Sequence, residues 1–279
     1  MTTTIHKKVS PTSFAEWKVL KPAAIQLAMQ PLSKLPVEGV RALLFDLDGT
    51  LVDEQLGASA YTSLHAARDA GLRTIAVTGR PAGWCDLMAR WWPLDGVVGE
   101  NGALVMRLVD CRLQRSDWQT AEESVNRLAG LWDAVYAAFP DAQQAADQPW
   151  RVHDVAIDFA EECDLGLEWA GAVAEFARAQ GARAAVSSIH VNCWFGDWDK
   201  LGMSERLLEA LGLAREDCVY VGDSPNDAPM FRAFELSIGV ASVADYGDLL
   251  EHAPRYVTES DGGAGFAEVV AHLTRGVTR

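Results

Sequence analysis

Asp46 and Asp48 stand two residues apart at the end of the apolar run Ala42-Leu43-Leu44-Phe45, and Gly49-Thr50 then turns the chain away. Carboxylates this close repel each other, so their convergence on one crevice calls for a cation or a shared proton. The spacing points to a metal ion or to acid/base work. A helix-loop-helix calcium loop does not fit, because Gly49 lacks a third oxygen ligand before it and a glutamate six residues after it.

Three further pieces carry the same kind of chemistry. Thr78-Gly79-Arg80 closes the apolar run Arg73 to Val77, Lys200 precedes a helical stretch, and Cys218 to Val221 runs into Gly222-Asp223-Ser224-Pro225-Asn226-Asp227. Taken singly, Thr78 reads as a helix cap, Lys200 as a solvated surface charge and the GDSPND segment as a turn. Taken together, they place oxygen ligands, a hydroxyl and a cation at the ends of buried strands.

The elements that would position them follow from periodicity. Ala42 to Phe45 is apolar without alternation, as in a strand buried on both faces of a parallel sheet. A helix from Gly57 to Ala70 stopped by Gly71, the strand Arg73 to Val77, a helix from Pro81 to Trp92 and the strand Gly96 to Gly99 make right-handed βαβ units. In such sheets ligands bind at the carboxyl ends of the strands. The winding resumes with a helix from Leu201 to Leu211, the strand Cys218 to Val221, a helix from Pro225 to Phe234, strands at 237–240 and 256–257, and a last helix from Gly265 to Arg275.

Between the two halves the pattern changes to a hairpin (103–114), a helix (121–139), a strand (151–159), a helix (165–180) and an extended stretch (183–195), which is α+β. The expected organisation is an α/β, doubly wound parallel sheet with an inserted α+β unit. Residues 1–37 form an N-terminal extension with one or two short helices, 38–102 the first part of the core, 103–196 the insert and 197–279 the second part.

Composition narrows the partners. The 279-residue chain is 49% hydrophobic and 23% charged, with a formal net charge of −15. That charge argues against nucleic acid and anionic membranes, since both need clustered Lys and Arg. With no membrane-length apolar run and no secretory signal, a cytoplasmic protein is expected. The five cysteines are scattered without a CxxC pair and read as reduced thiols. The ten tryptophans read as core or interface residues.

The order hhhhDxDGT, hhhTGR, a Lys ahead of a helix and hhhGDxxND resembles the haloacid dehalogenase superfamily over about residues 40 to 279. The insert after Glu100-Asn101-Gly102-Ala103 is similar to the type IIB cap branch, and TGR, GDSPNDAPMF and GGAGFAEVV resemble its sugar-phosphate phosphatases. The segment Lys200-Leu201-Gly202-Met203 departs from the KGxAL common in that branch but keeps the lysine. The resemblance implies a Rossmann-like core, a cap, Mg²⁺ and a small phosphate ester as substrate. It implies Asp46 as nucleophile and Asp48 as general acid and base, with Thr78, Gly79 and Lys200 on the phosphate and Asn226 on the phosphate or the metal's waters. The metal would be held by Asp46, Asp223 and the Asp48 carbonyl, with Asp227 reached through water or paired with Lys200. A phosphomutase or a non-catalytic sugar-phosphate sensor would share the scaffold.

Substrate choice is expected from the cap strand Val186 to Phe195. A period of two puts Ile189, Val191, Cys193 and Phe195 on one face, and Ser188, His190, Asn192 and Trp194 on the other. The second face would bind sugar hydroxyls and stack a ring on the indole, or else face solvent. Arg151, His153 and Asp158 are further candidates.

Overall fold

The computed structural model describes residues 29–275, except 121, 123, 124 and the side chain of residue 248. The helices expected before residue 29 lie outside this range. The strands, in chain order, are β1 (Gln30–Pro31), β2 (Ala42–Phe45), β3 (Arg73–Val77), β4 (Gly96–Gly99), β5 (Leu104–Val109), β6 (Arg112–Asp117), β7 (Gln143–Gln144), β8 (Asp154–Asp158), β9 (Arg183–Val186), β10 (His190–Trp194), β11 (Cys218–Gly222), β12 (Leu236–Gly239) and β13 (Tyr256–Val257). The α-helices are α1 (Ala58–Asp69), α2 (Ala82–Trp91), α3 (Val125–Ala138), α4 (Gly166–Ala179), α5 (Lys200–Leu211), α6 (Ala228–Ala233) and α7 (Gly262–Leu273).

Nine strands form one sheet in the order β1-β13-β12-β11-β2-β3-β4-β5-β6, parallel from β1 to β4. β2 lies at its centre because alternate residues bury on opposite faces. Leu43 and Phe45 pack with α1, α2 and α7, while Ala42 and Leu44 pack with α5 and α6. This is the expected α/β architecture, with helices on both faces of a mostly parallel sheet.

Three assignments change. The hairpin β5–β6, expected to open the insert, pairs antiparallel with β4 and extends the large sheet. Leu104 and Met106 are buried in the core packed against α2, and that apolar face draws the hairpin onto the sheet. The extended stretch 183–195 is a hairpin of two strands. The Ser187 hydroxyl accepts the N–H groups of Ile189 and His190 and turns the chain. Gln30–Pro31, within the N-terminal extension, pairs with Tyr256–Val257 at the edge of the sheet.

The second sheet, in the order β7-β8-β10-β9, is antiparallel and backed by α3 and α4. Val155, Ile157, Val191, Cys193 and Phe195 fill the layer between them. Its other face carries Asp154, Asp158, His190, Asn192 and Trp194, all buried. It covers the carboxyl edge of the large sheet. Among the described residues no helix is long and apolar enough to cross a membrane.

Candidate active site

Three neighbouring parallel strands deliver the site. Phe45 pairs with Ala76 on one side and Val221 on the other, so β2, β3 and β11 end together at Asp46, Thr78 and Asp223. The chain reverses after Asp46 in a tight turn, in which the N–H groups of Thr50, Leu51 and Val52 donate to the Leu47 carbonyl. Gly49 has φ +77°, and a Cβ there would lie 2.3 Å from an Asp223 carboxylate oxygen. Only glycine allows this approach of the first acidic loop to the second.

Lys200 begins α5, whose N-cap Asp199 accepts the Gly202 N–H. Its ammonium is buried and lies 2.8 Å from both Asp46 Oδ2 and Asp227 Oδ1. Burial opposes this charge, but Asp227 and Asp46 more than offset it and hold Lys200 protonated. Asp227 Oδ1 also accepts the Tyr220 hydroxyl, and Oδ2 accepts the N–H groups of Asp223 and Ser224. Both oxygens of Asp227 are therefore engaged, and of its two expected roles the geometry provides the pairing with Lys200. Asn226 lies beside them, accepting from the Ser224 hydroxyl at 2.8 Å.

The carboxylates of Asp46, Asp223 and Asp227 offer oxygens within 4.8 Å of one another. Burial, opposed by Lys200, pushes Asp46 up to about 7. Burial, reinforced by Asp227 and Asp46, raises Asp223 well above the usual carboxylate range. Three buried carboxylates against one ammonium leave negative charge that a hard divalent cation would offset. Asp46 and Asp223 have oxygens to give, since Asp223 accepts only the Thr50 hydroxyl and Asp46 only the Leu47 N–H and Lys200 among the described residues. The donor set suits Mg²⁺.

Asp48, across the crevice, is held by a residue to which sequence reasoning gave no role. Arg80 donates from Nε to both Asp48 oxygens and from Nη2 to Asp48 Oδ1, from Nη1 to Asp147 and from Nη2 to Glu161, and its guanidinium lies 4.5 Å from the Trp84 ring centre. The available signal was position, because Arg80 follows Thr78 at the same sheet edge. Arg151 is buried and donates to Asp147, Asp154 and the Gly79 carbonyl, so it ties the second sheet to the phosphate-loop candidate. Glu100 was also missed. Its carboxylate accepts the N–H groups of Ala82, Val152 and His153, while burial and then the charge of Asp154 push it up to about 7.

The cap residues divide. His190 contacts Glu161 at 2.8 Å, Asn192 donates to Asp154, and the Ser188 hydroxyl sits 3.5 Å from the Asp48 carbonyl. His190 and Asn192 are buried, and Ser188 is half-buried beside Asp48. Trp194 does not offer a ring for stacking. It is 5% exposed, stacks on Trp198 and donates its indole N–H to the Trp198 carbonyl. His153 is buried against Trp198, and Asp158 caps the turn at Ala160 to Glu162. Arg151, Arg178 and Arg183 donate to separate groups, respectively Asp147, the Ala184 carbonyl and the Trp198 carbonyl.

The fold is that of a haloacid dehalogenase-like hydrolase. The family model for haloacid dehalogenase-like hydrolases matches residues 43–124 and 185–270, and the chain belongs to that family. A phosphoglycolate phosphatase of Methanothermobacter thermautotrophicus is 29% identical over 236 residues, covering 83% of this chain and 97% of the relative. A solved protein of Thermoplasma acidophilum superposes with a TM-score of 0.67 at 19% identity, over 84% of this chain and 98% of its own. The sucrose-phosphatase of Synechocystis, solved with sucrose and phosphate, gives 0.58 at 16% identity, over 84% and 97%.

Proposed function

We propose that this chain is a Mg²⁺-dependent phosphatase of small phosphate esters, sugar or sugar-acid phosphates, that works through a phosphoryl group carried on Asp46. The observation that carries the reading is the buried Lys200 held between Asp46 and Asp227, with Asp223 beside them and Asp48 across the crevice. Relatives named as phosphatases support the same reaction class.

Asp46 attacks phosphorus in line with the leaving oxygen, forming an acyl phosphate as the ester P–O bond breaks. Asp48 gives its proton to the leaving alkoxide and then takes one from the water that hydrolyses the acyl phosphate. Thr78, the Gly79 N–H, Asn226 and Lys200 bind and orient the phosphoryl oxygens. Asp46, Asp223 and the Asp48 carbonyl would hold Mg²⁺, whose charge would offset the repulsion between substrate and Asp46. Asp227 keeps Lys200 in place. The second sheet keeps bulk water from the site, with Ser188, His190 and Asn192 toward the alcohol half of the substrate.

The test is phosphate release from a panel of sugar, sugar-acid and nucleotide monophosphates, with and without Mg²⁺, comparing wild type with Asp46→Asn. Release that needs both the metal and Asp46 is expected. Undiminished release by Asp46→Asn would dismiss the reading.

A further inference from the structure

The wall that the second sheet presents to Asp48 is anionic. Arg80 is shared by Asp48, Asp147 and Glu161, and Arg151 by Asp147 and Asp154. Four carboxylates therefore share two guanidiniums, and His190 is the remaining group in this network able to add a positive charge, through Glu161. Neither arginine is free for a ligand, because Arg151 is wholly buried in its ion pairs and Arg80 has all of its contacts on carboxylates and the Trp84 ring. Glu161 and Asp48 are the members of the network that remain part-exposed, with side chains 28% and 18% exposed. What reaches the crevice from this wall is carboxylate oxygen.

A second observation lies beside Gly79, where the second sheet meets the large one. Asn101 is 2% exposed, has φ +54°, and among the described residues neither its amide Nδ2 nor its Oδ1 has a hydrogen-bond partner. A Cβ placed on Gly79 would lie 3.1 Å from that Nδ2 and 3.3 Å from the Asn192 Oδ1, so both amides border the Gly79 backbone. A buried amide without partners is costly unless something satisfies it. A hydroxyl, which both donates and accepts, can satisfy the donor and the acceptor, whereas a carboxylate can only accept.

We propose that Glu161, with His190 and Arg80, and Asn101 determine specificity for the alcohol half of the ester, taking uncharged hydroxylated alcohols and rejecting those that carry a carboxylate. The inference rests on the phosphatase reading and divides its two substrate classes: sugar phosphates are favoured over sugar-acid phosphates and over phosphoglycolate. Hydroxyls of the alcohol donate to Glu161 and exchange with Asn101. A carboxylate would meet Glu161 while both guanidiniums of this wall are already paired, and like charges brought together in a part-buried site are strongly disfavoured.

The experiment uses esters matched in size. Glycerol 3-phosphate is compared with 3-phosphoglycerate, and 2-hydroxyethyl phosphate with phosphoglycolate, each pair differing by a hydroxymethyl in place of a carboxylate. Wild type is expected to prefer the uncharged member of each pair by at least about tenfold in kcat/KM. Glu161→Gln is expected to cut that preference by about threefold or more, through a lower KM for the carboxylates. Asn101→Gly, which keeps the left-handed backbone, should raise KM for glycerol 3-phosphate more than for p-nitrophenyl phosphate. Calorimetric Kd values for the same pairs on Asp46→Asn should follow the same order. If p-nitrophenyl phosphate is turned over but the carboxylate esters match or exceed their partners, or Glu161→Gln leaves the preference unchanged, the subsite assignment is overturned. If no ester is turned over while the Kd order holds, the phosphatase reading fails and the subsite stands.

Discussion

Replacing Lys200 with methionine tests the electrostatic centre of the site without touching a nucleophile or a metal ligand. The ammonium is 2.8 Å from two buried carboxylates, and methionine keeps the stem but removes the charge. Removing one partner of such a buried arrangement costs about 3 to 5 kcal/mol, because the charges left behind are uncompensated. The loss must also depend on pH. Asp46 sits at about 7 in the folded protein against an ordinary 3.8, with burial raising it and Lys200 lowering it. A carboxylate raised on folding costs stability as pH climbs from its unfolded to its folded value. In wild type this decline ends near neutrality. In Lys200→Met the folded value moves higher still, and the decline continues above pH 7 at up to about 1.4 kcal/mol per unit. Lys200's own folded value is raised, so its contribution is constant until pH approaches the unfolded lysine value of 10.5. Urea unfolding of metal-free protein, followed by tryptophan fluorescence between about pH 6 and about pH 8, should show a gap between wild type and variant that widens with pH. A constant gap below about 1 kcal/mol would refute the reasoning.

Gly49→Ala places a methyl group 2.3 Å from Asp223 Oδ2 at a φ of +77°. It should cost about 3 kcal/mol in urea unfolding and weaken Mg²⁺ binding measured by calorimetry, because Asp223 must move. Glu100→Gln puts an NH2 group against backbone N–H donors that now reach a carboxylate, at 2.6 Å for His153 and 2.9 Å for Ala82. Stability should fall by about 2 kcal/mol, and hydrogen exchange should quicken at Val152 and His153 but not in β2.

Strands with an unbroken apolar run were legible in the sequence, because burial on both faces leaves no alternation to misread. Ala42–Phe45 ends at Asp46 and Cys218–Gly222 at Asp223, and the carboxyl-edge rule then placed both acids in one crevice. The hairpin read over 103–114 as the opening of the insert pairs instead with β4, because a hairpin's own pattern does not say which edge it will pair with. Leu104 and Met106 decide that only once the core behind β4 exists. Trp194 had the right face and the wrong role. Alternation put it on one face with His190 and Asn192, opposite the apolar face, but Trp198, four residues on, covers its ring. Arg80, Glu100 and Glu161 escaped notice since each acts through partners far away in sequence, with Arg80 joining residues 48, 147 and 161. Such clusters have no local spacing to betray them.

The most direct test of the central claim is to catch the phosphoryl group. Protein mixed with excess p-nitrophenyl phosphate and Mg²⁺, quenched in acid and digested, should yield by mass spectrometry a phosphorylated peptide containing Asp46. The same peptide should be unmodified in Asp46→Asn or with a chelator present. A phosphoryl group on a different residue, or steady turnover by Asp46→Asn, would contradict the assignment of Asp46 as nucleophile.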